Sequence, residues 1–349
     1  MKAYIGSYTQ DLMTGKETGS SGIYLCDFND DDGSLKIQES YAMSKNPSFL
    51  SLSADGKLLL AVNEQLGECA LDTYEIRDDG TLSHLDRACF PGTACCYAEL
   101  SPDCRYAMAV NYGEGELFVY RLDAGRFVER TDSVFNKGRG PVTDRQEGPH
   151  AHSVRRIEGK DRVVCCDLGC DRISFYQLDP FGKLHRDDGL TISAPPGRGP
   201  RHSAFSCGGN NLYISCELSN SVLYYRWDQE KYTLAQEIST LPIDFTGVNT
   251  AADIHIGPSG SYLYVSNRGH DSIACFSIDK EGYLRQAGYA SCGGNVPRHF
   301  SVTEKHLLCS NQGSGSVTVL RLDKSGKPKE KVGEIRVPAA ACAVISNRV

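Results

Sequence analysis

The pattern of apolar and polar positions is clearest between Ala251 and Ile278, in the stretch AADIHIGPSGSYLYVSNRGHDSIACFSI. Ile254 and Ile256 alternate with polar neighbours, which puts both on one face of a short strand. A Pro-Ser-Gly turn leads into a second strand, SYLYVSN, and a polar loop leads into a third, SIACFSI. The third run is β-branched and aromatic and has no helical period. Between the second and third strands, Asn267-Arg268-Gly269-His270-Asp271 carries charge that its apolar flanks do not explain. Fold and chemistry are expected to meet there.

The same arrangement recurs at 46–64, 95–122, 150–178, 200–227 and 297–322. On this alignment the second strands end at Asn63, Asn111, Asp167, Glu217, Asn267 and Asn311, with successive spacings between 44 and 56 residues. A period of roughly 50 residues with four strands per unit predicts a β-propeller. The fourth strands, such as LSHLDRACF, LHRDDGLTIS and YLRQAGYAS, are weaker and expected outermost. The chain ends supply a seventh unit. AYIGSYT, GIYLCDF and LKIQESYA read as its second to fourth strands, and AACAVIS (340–346) as its first. The prediction is an all-β, seven-bladed propeller with four-stranded antiparallel blades, forming one domain over residues 1–349. Its N- and C-terminal strands share a blade, closing the ring so that no sheet edge is left open at the seam.

A chain of 349 residues is long for one ordinary core, but repeat units that pack on their neighbours escape that limit. The 35 glycines and 18 tyrosines suit many turns and half-buried strands. A formal charge of −7 provides no domain-wide basic field, so nonspecific nucleic-acid binding is not expected, while a local basic pocket for a small anion remains open. The longest apolar run, Leu58 to Val62, is far below the roughly 20 residues of a membrane helix. The start MKAYIGSYTQ has no apolar signal core. The expectation is a cytoplasmic protein that does not engage a membrane. Fifteen cysteines, an odd number with adjacent pairs at Cys95-Cys96 and Cys165-Cys166, read as reduced and mostly buried thiols. The longest departure from the repeat is NKGRGPVTDRQEG, Asn136 to Gly148. Such insertions are often functional; Arg139 and Arg145 within it could reach a phosphate, but a solvated loop is the expected reading.

Propeller geometry makes equivalent loops of successive blades rim one end of the axis. His150, His152, Arg201, His202, Arg298 and His299 lead into first strands, while Asp167, Glu217, Asn267 and Arg268 close second strands. A funnel of histidines, arginines and one glutamate follows, and it is costly to desolvate unless paired or used. A histidine at a strand start can also simply hydrogen-bond a neighbouring blade. Asp55, Asp103 and Asp271 are expected to shape turns, and the repeat-equivalent Asn63, Asn111 and Asn267 to be structural. No Gly-rich loop follows a strand and opens a helix, and GxSxG is absent. Nucleotide binding and nucleophile-elbow hydrolysis therefore have no support.

PSFLSLSADGKLLLAVNE, HAHSV, PRHSAF with CELSNSV, and SNRGHDSI with PRHF together resemble the seven-bladed propeller lactonase family. That family includes the propeller-type 6-phosphogluconolactonases of the pentose phosphate pathway and the fungal carboxymuconate cyclases. The resemblance runs over nearly the whole chain. It implies a hydrolase of a sugar lactone, 6-phosphogluconolactone being favoured, that uses no metal or cofactor. It also implies a small anionic lactone as partner, with the protein a monomer or weak homodimer. The family's site set, carried over motif by motif, gives His152, Arg201, Glu217 and Arg268 as catalytic; His150, His202, His270, Arg298 and His299, among the charged positions of the repeat loops, are expected to bind substrate. Lactone hydrolysis needs a base to activate water and a donor set for the oxyanion. His152 or Glu217 would serve as the base. Arg201 and Arg268 would hold the oxyanion and any carboxylate or phosphate. Asp253 departs from the family pattern, where Glu is expected. The rival readings are a carboxymuconate-type cyclase acting on a dicarboxylate, and a non-catalytic interaction propeller. The last predicts exposed apolar patches on the propeller faces and no need for the charged funnel.

Overall fold

Short polar turns fix the first hairpin of the repeats. Ser53 Oγ accepts the Leu58 N–H at 2.9 Å and donates to Asp55 at 2.7 Å, and Ser101 repeats the device with Tyr106 and Asp103. Asp55 and Asp103 are thus turn residues, as expected from the sequence. The computed structural model describes residues 1–157, 160 and 162–346; the last three positions of the predicted domain lie outside the described residues.

The strands pair into seven antiparallel sheets. We number the blades 1 to 7 from the one that holds the N-terminus. Blades 2 to 7 run in chain order from first strands Leu50–Leu52, Cys95–Leu100, Ala151–Arg156, Pro200–Phe205, Thr250–Ile256 and Pro297–Val302. Blade 1 takes its first strand from the far end of the chain, where Ala340–Ser346 pairs antiparallel with Lys2–Ser7. The N- and C-terminal strands therefore close the ring as the pattern predicted. In blade 4 the fourth strand is split into Leu184–Arg186 and Ile192–Ser193. Asp187 turns the chain between them, its carbonyl taking the N–H groups of Leu190 and Thr191, and Leu190 drops into the core.

No blade has a private core. The apolar clusters each straddle two neighbouring blades: one joins Leu60 and Phe90 of blade 2 to Ala98 and Phe118 of blade 3, and another joins Ile5 and Phe28 of blade 1 to Leu308 and Val319 of blade 7. Tyrosines add a polar latch. Tyr4, Tyr213 and Tyr264, each on the second strand of its blade, donate to a carbonyl of the next blade, at Gly80, Gly282 and Gly326, over 2.6–2.8 Å. At the seam His306 Nδ1 meets Asp30 at 3.0 Å.

The first strands are in contact around the axis, each with the next. Six of the seven carry an irregularity in their pairing with the second strand, within 95–97, 151–153, 200–202, 251–254, 297–299 and against Gly6/Ser7. A bulge of this kind leaves a residue unpaired and re-aims its side chain. His152, Arg201 and Arg298 are such residues.

Because the C-terminal strand is the inner strand of blade 1, deleting residues from Pro338 onward exposes apolar surface on both sides of that blade. The expected result is loss of the cooperative thermal transition in near-UV circular dichroism. A truncated protein that melts cooperatively at the full-length temperature would rule out the closure.

Candidate active site

Pairing registers sort the axial residues into tiers. The bulge tier, at the mouth where first strands begin, holds Cys96, His152, Arg201 and Arg298. One residue on, a middle tier holds Phe49, Tyr97, His202, Asp253 and His299. Registers also correct the alignment of second strands. Cys216, not Glu217, pairs with Pro200 as Asn111 pairs with Cys95 and Asn267 with Ala251. Glu217 therefore sits one residue further on, in a rim shared with Tyr8, Glu64, Tyr112 and Arg268. The residues it was aligned with, Asn63, Asn111, Asp167 and Asn267, turn inward as structural hydrogen-bonding groups.

Glu217 is the centre of the mouth. Its Oε1 accepts from Arg145 at 2.6 Å, its Oε2 accepts from Arg201 Nε at 2.9 Å, and Arg268 Nη2 forms an ion pair with the same Oε2 at 2.7 Å. Arg201 is only 2% exposed. Beside this group, Arg298 lies 3.9 Å from Glu64 and over the ring of Tyr8, whose hydroxyl donates to Glu64 at 2.6 Å. Ser48 also donates to Glu64. Four guanidinium groups thus face two carboxylates, and the mouth carries surplus positive charge. Burial would raise the Glu217 carboxyl, but Arg268, Arg201 and Arg145 hold it well below the usual range. Arg201 is brought down to about 10 by burial and then by the nearby Arg268.

His152 is buried at this mouth. Its ring stands edge-on to Tyr112 and to His202, with centroids 5.6 and 5.3 Å away, and its Nδ1 lies 3.9 Å from Cys96 Sγ. Burial first, then Arg201 and His202, depress its pKa well below the ordinary value, so the imidazole is neutral. Its Nε2 has no hydrogen-bond partner among the described residues.

His202 and His299, expected to bind substrate here, instead belong to the middle tier. His202 Nδ1 donates to Asp253 at 2.8 Å while its Nε2 accepts from Arg201 at 3.1 Å. His299 Nε2 lies 3.5 Å from Asp253 and His255 Nε2 lies 2.8 Å from it. One carboxylate thus gathers three histidines from three blades. Burial, ahead of the neighbouring charges, lowers His202 to about 3 and His299 to about 4. His150 is placed beside the mouth by stacking on Tyr112, with its Nδ1 donating to the Tyr112 carbonyl of the preceding blade at 2.9 Å. This is the structural use of a histidine at a strand start. His270 is not drawn into the cluster: its ring meets Phe245 and Tyr289 and its Nδ1 pairs with Ser272.

Arg145 is the residue that sequence reasoning placed wrongly. Loop 136–148 is not simply solvated, because Gln146 is fully buried and donates to the Leu168 carbonyl at 2.8 Å. That anchor carries Arg145 over the mouth. Tyr8, Glu64 and Tyr112 were missed because the rim position was aligned one residue early in blade 5.

The family description "Lactonase, 7-bladed beta-propeller" matches residues 2–345. The chain belongs to the seven-bladed propeller lactonase family. A protein of Bacillus subtilis named 6-phosphogluconolactonase is 29% identical, over 99% of this chain and 98% of its own. An uncharacterized Staphylococcus saprophyticus protein is 31% identical over 92% of each chain. The solved structure of a Pseudomonas aeruginosa protein described as a periplasmic gluconolactonase superposes with a TM-score of 0.90 at 27% identity, covering 98% of both chains. Among the described residues, no helix is long and apolar enough to cross a membrane, and all fifteen cysteines are free thiols, most of them buried.

In this member of the lactonase family, Asp253, His255 and His299 bring three ligand-type atoms within 4.8 Å of one another. Their protons do not suit a cation. His299 Nδ1 accepts the Ala343 N–H at 3.3 Å, so its proton sits on Nε2 and points at the carboxylate. His255 Nε2 donates to the Asp253 carboxylate at 2.8 Å and His299 Nε2 faces it at 3.5 Å, so both rings turn a protonated nitrogen toward it.

Two predictions follow from the burial of these charges. Glu217→Gln leaves three guanidinium groups without their shared counter-charge and should cost about 3–5 kcal/mol in denaturant unfolding; a cost near zero would mean the arginines find other partners. The buried His152, His202 and His299 are neutral when folded but bind protons below about pH 6.5 when unfolded. The unfolded chain therefore holds more protons in acid, and stability falls with decreasing pH by about 1.4 kcal/mol per unit for each. Glu217 and Asp253, held low in the fold, stabilise above the usual carboxylate range and lose that contribution in stronger acid. Melting temperature should drop from about pH 7 to about pH 5, whereas a flat profile would mean the histidines are charged in the folded protein.

Proposed function

We propose that this protein hydrolyses a sugar lactone, with 6-phosphogluconolactone the favoured substrate, as one step of the pentose phosphate pathway in the cytoplasm. The convergence of Arg145, Arg201 and Arg268 on Glu217 beside neutral His152 carries this reading. The surplus of two positive charges suits a phosphate dianion or the oxyanion formed at the carbonyl. The name of the Bacillus subtilis relative supports the same substrate.

Of the two candidate bases, His152 is favoured. Glu217 is already paired with three arginines, and these hold its carboxylate too weakly basic to take a proton near neutrality. His152 has Nε2 unspent, and an anionic substrate that offsets the arginines raises its basicity as it binds. Water attacks the lactone carbonyl as His152 Nε2 takes its proton. A guanidinium stabilises the tetrahedral oxyanion. When the ring C–O bond breaks, the departing alkoxide recovers the proton from His152. Glu217 holds Arg201 and Arg268 in place, so no reorganisation is needed as charge develops.

An interaction propeller is less well supported. Its large exposed apolar residues are spread along the chain, with Val128 and Phe135 in one strand and Ile243 and Val248 in one loop, and the buried arginine cluster would have no use.

Purified protein should open 6-phosphogluconolactone faster than buffer alone, measured beside the spontaneous rate. Glu217→Ala and Arg268→Ala should remove the excess, and His152→Gln should lower kcat by about 10²–10⁴-fold. Arg145→Ala should raise KM more than it lowers kcat. The acid limb of kcat/KM should lie below the ordinary histidine range. Full rate in both Glu217→Ala and Arg268→Ala would reject the site, and no rate above background would reject the substrate.

A further inference from the structure

The channel has a second mouth. Two residues beyond the middle tier, the first strands present Ser51, Glu99, Arg155, His255 and Ser301 around a cavity of about 280 Å³. Asp253, His202 and His299 form its inner wall, so the same carboxylate that gathers the histidines separates this cavity from the Glu217 mouth. None of its far-end residues takes part in the chemistry proposed above.

Its polar groups are only partly used. Arg155 donates once, from Nη1 to the Ser203 carbonyl at 3.0 Å, and no carboxylate lies within 4.0 Å of it among the described residues. Its other donors are free. Glu99, with 20% of its side chain exposed, pairs instead with Arg156: Oε1 accepts the Arg156 N–H at 3.1 Å, and Oε2 has no hydrogen-bond partner among the described residues. His255 uses Nε2 on Asp253, and its Nδ1 has no hydrogen-bond partner among the described residues. An apolar wall completes the cavity, with Phe49 and Tyr97 stacked at 3.8 Å between ring centroids.

A bland account makes this the watered end of a propeller channel. That account explains neither a half-buried guanidinium without a carboxylate nor an aromatic wall beside it. A guanidinium with free donors takes a carboxylate or a phosphate. The neighbouring carboxylates of Glu99 and Asp253 disfavour a phosphate dianion and leave room for a single negative charge. Glu99 and His255 offer hydrogen bonds to hydroxyl groups, and Phe49 with Tyr97 offers a surface for C–H groups. Concave sites with an apolar wall and a few convergent polar groups are the ordinary form of small-molecule sites.

We propose that the mouth opposite Glu217 is a second binding site, selective for a small hydroxy-monocarboxylate held by Arg155. The carboxylate lies on the free guanidinium donors and the hydroxyl-bearing body against Glu99, His255 and the Phe49–Tyr97 wall.

The test uses D-gluconate as probe and reads binding, not turnover, so its outcome is independent of the lactonase reading. Calorimetric titration of Arg268→Ala protein, in which the Glu217 mouth is impaired, should still show binding. Adding Arg155→Ala should weaken it at least about ten-fold, equivalent to about 1.4 kcal/mol, while Arg155→Lys should retain part of it. Thermal melts check that each variant is folded. A crystal of the Arg268→Ala protein soaked in gluconate should show the ligand against Arg155, which keeps the proposal testable even if Arg155→Ala does not fold. Equal affinity with and without Arg155, no binding at tens of millimolar, or ligand only at the Glu217 mouth would each overturn the proposal.

Discussion

Everything at the axis depends on apolar contact between blades. Each sheet buries its faces against two neighbours, and the clusters that straddle blades 7 and 1 and blades 1 and 2 exist only because Ala340–Ser346 lies beside Lys2–Ser7. A closed ring also fixes the distance of every first strand from the axis. Side chains that point inward must then share a narrow space, tier by tier, with partners supplied by other blades. Hydrophobic burial, which has no direction of its own, thereby positions groups whose chemistry is strongly directional.

The charged mouth shows how that positioning is put to use. A carboxylate buried alone would take up a proton, and a buried guanidinium alone would be costly. Glu217 and Arg201 are tolerated because Arg268 and Arg145 complete the group, and the surplus charge remains for a ligand. Bulges in the first strands of blades 4, 5 and 7 turn His152, Arg201 and Arg298 toward this space. The donors are held by the scaffold before any substrate arrives, which is the condition for electrostatic stabilisation without reorganisation.

Asp253 serves a different purpose from the one its neighbourhood suggests. It stands among histidines that look like metal ligands, yet it accepts their protons and the Phe300 N–H as well. Through His202 it also orients Arg201. The result is a partition of histidines around one carboxylate across the channel, with an arginine-rich mouth on one side and a mixed polar and aromatic cavity on the other.

The fold was legible in the sequence because its signals are local. Alternation in runs such as SYLYVSN, turns such as Ser-Pro-Asp and a period of roughly 50 residues mark seven units, and AACAVIS supplies the strand missing from the first. His152, Arg201, Glu217 and Arg268 could be singled out as candidates because their motifs sit at strand ends that a ring directs to one end of its axis, and the structure brings the four to one mouth. What lay beyond reach depends on register and on distant contact. One residue of misalignment separated Glu217 from its rim partners Tyr8, Glu64 and Tyr112. The reach of Arg145 depends on the burial of Gln146, seen only once loop 136–148 is folded against blade 4. His202 and His299 resemble mouth residues by motif, but a strand reverses its facing side at each step and a bulge shifts that count. Which tier each histidine joins was therefore decided by tertiary structure, because pairing across strands, and not order along the chain, sets where a side chain points.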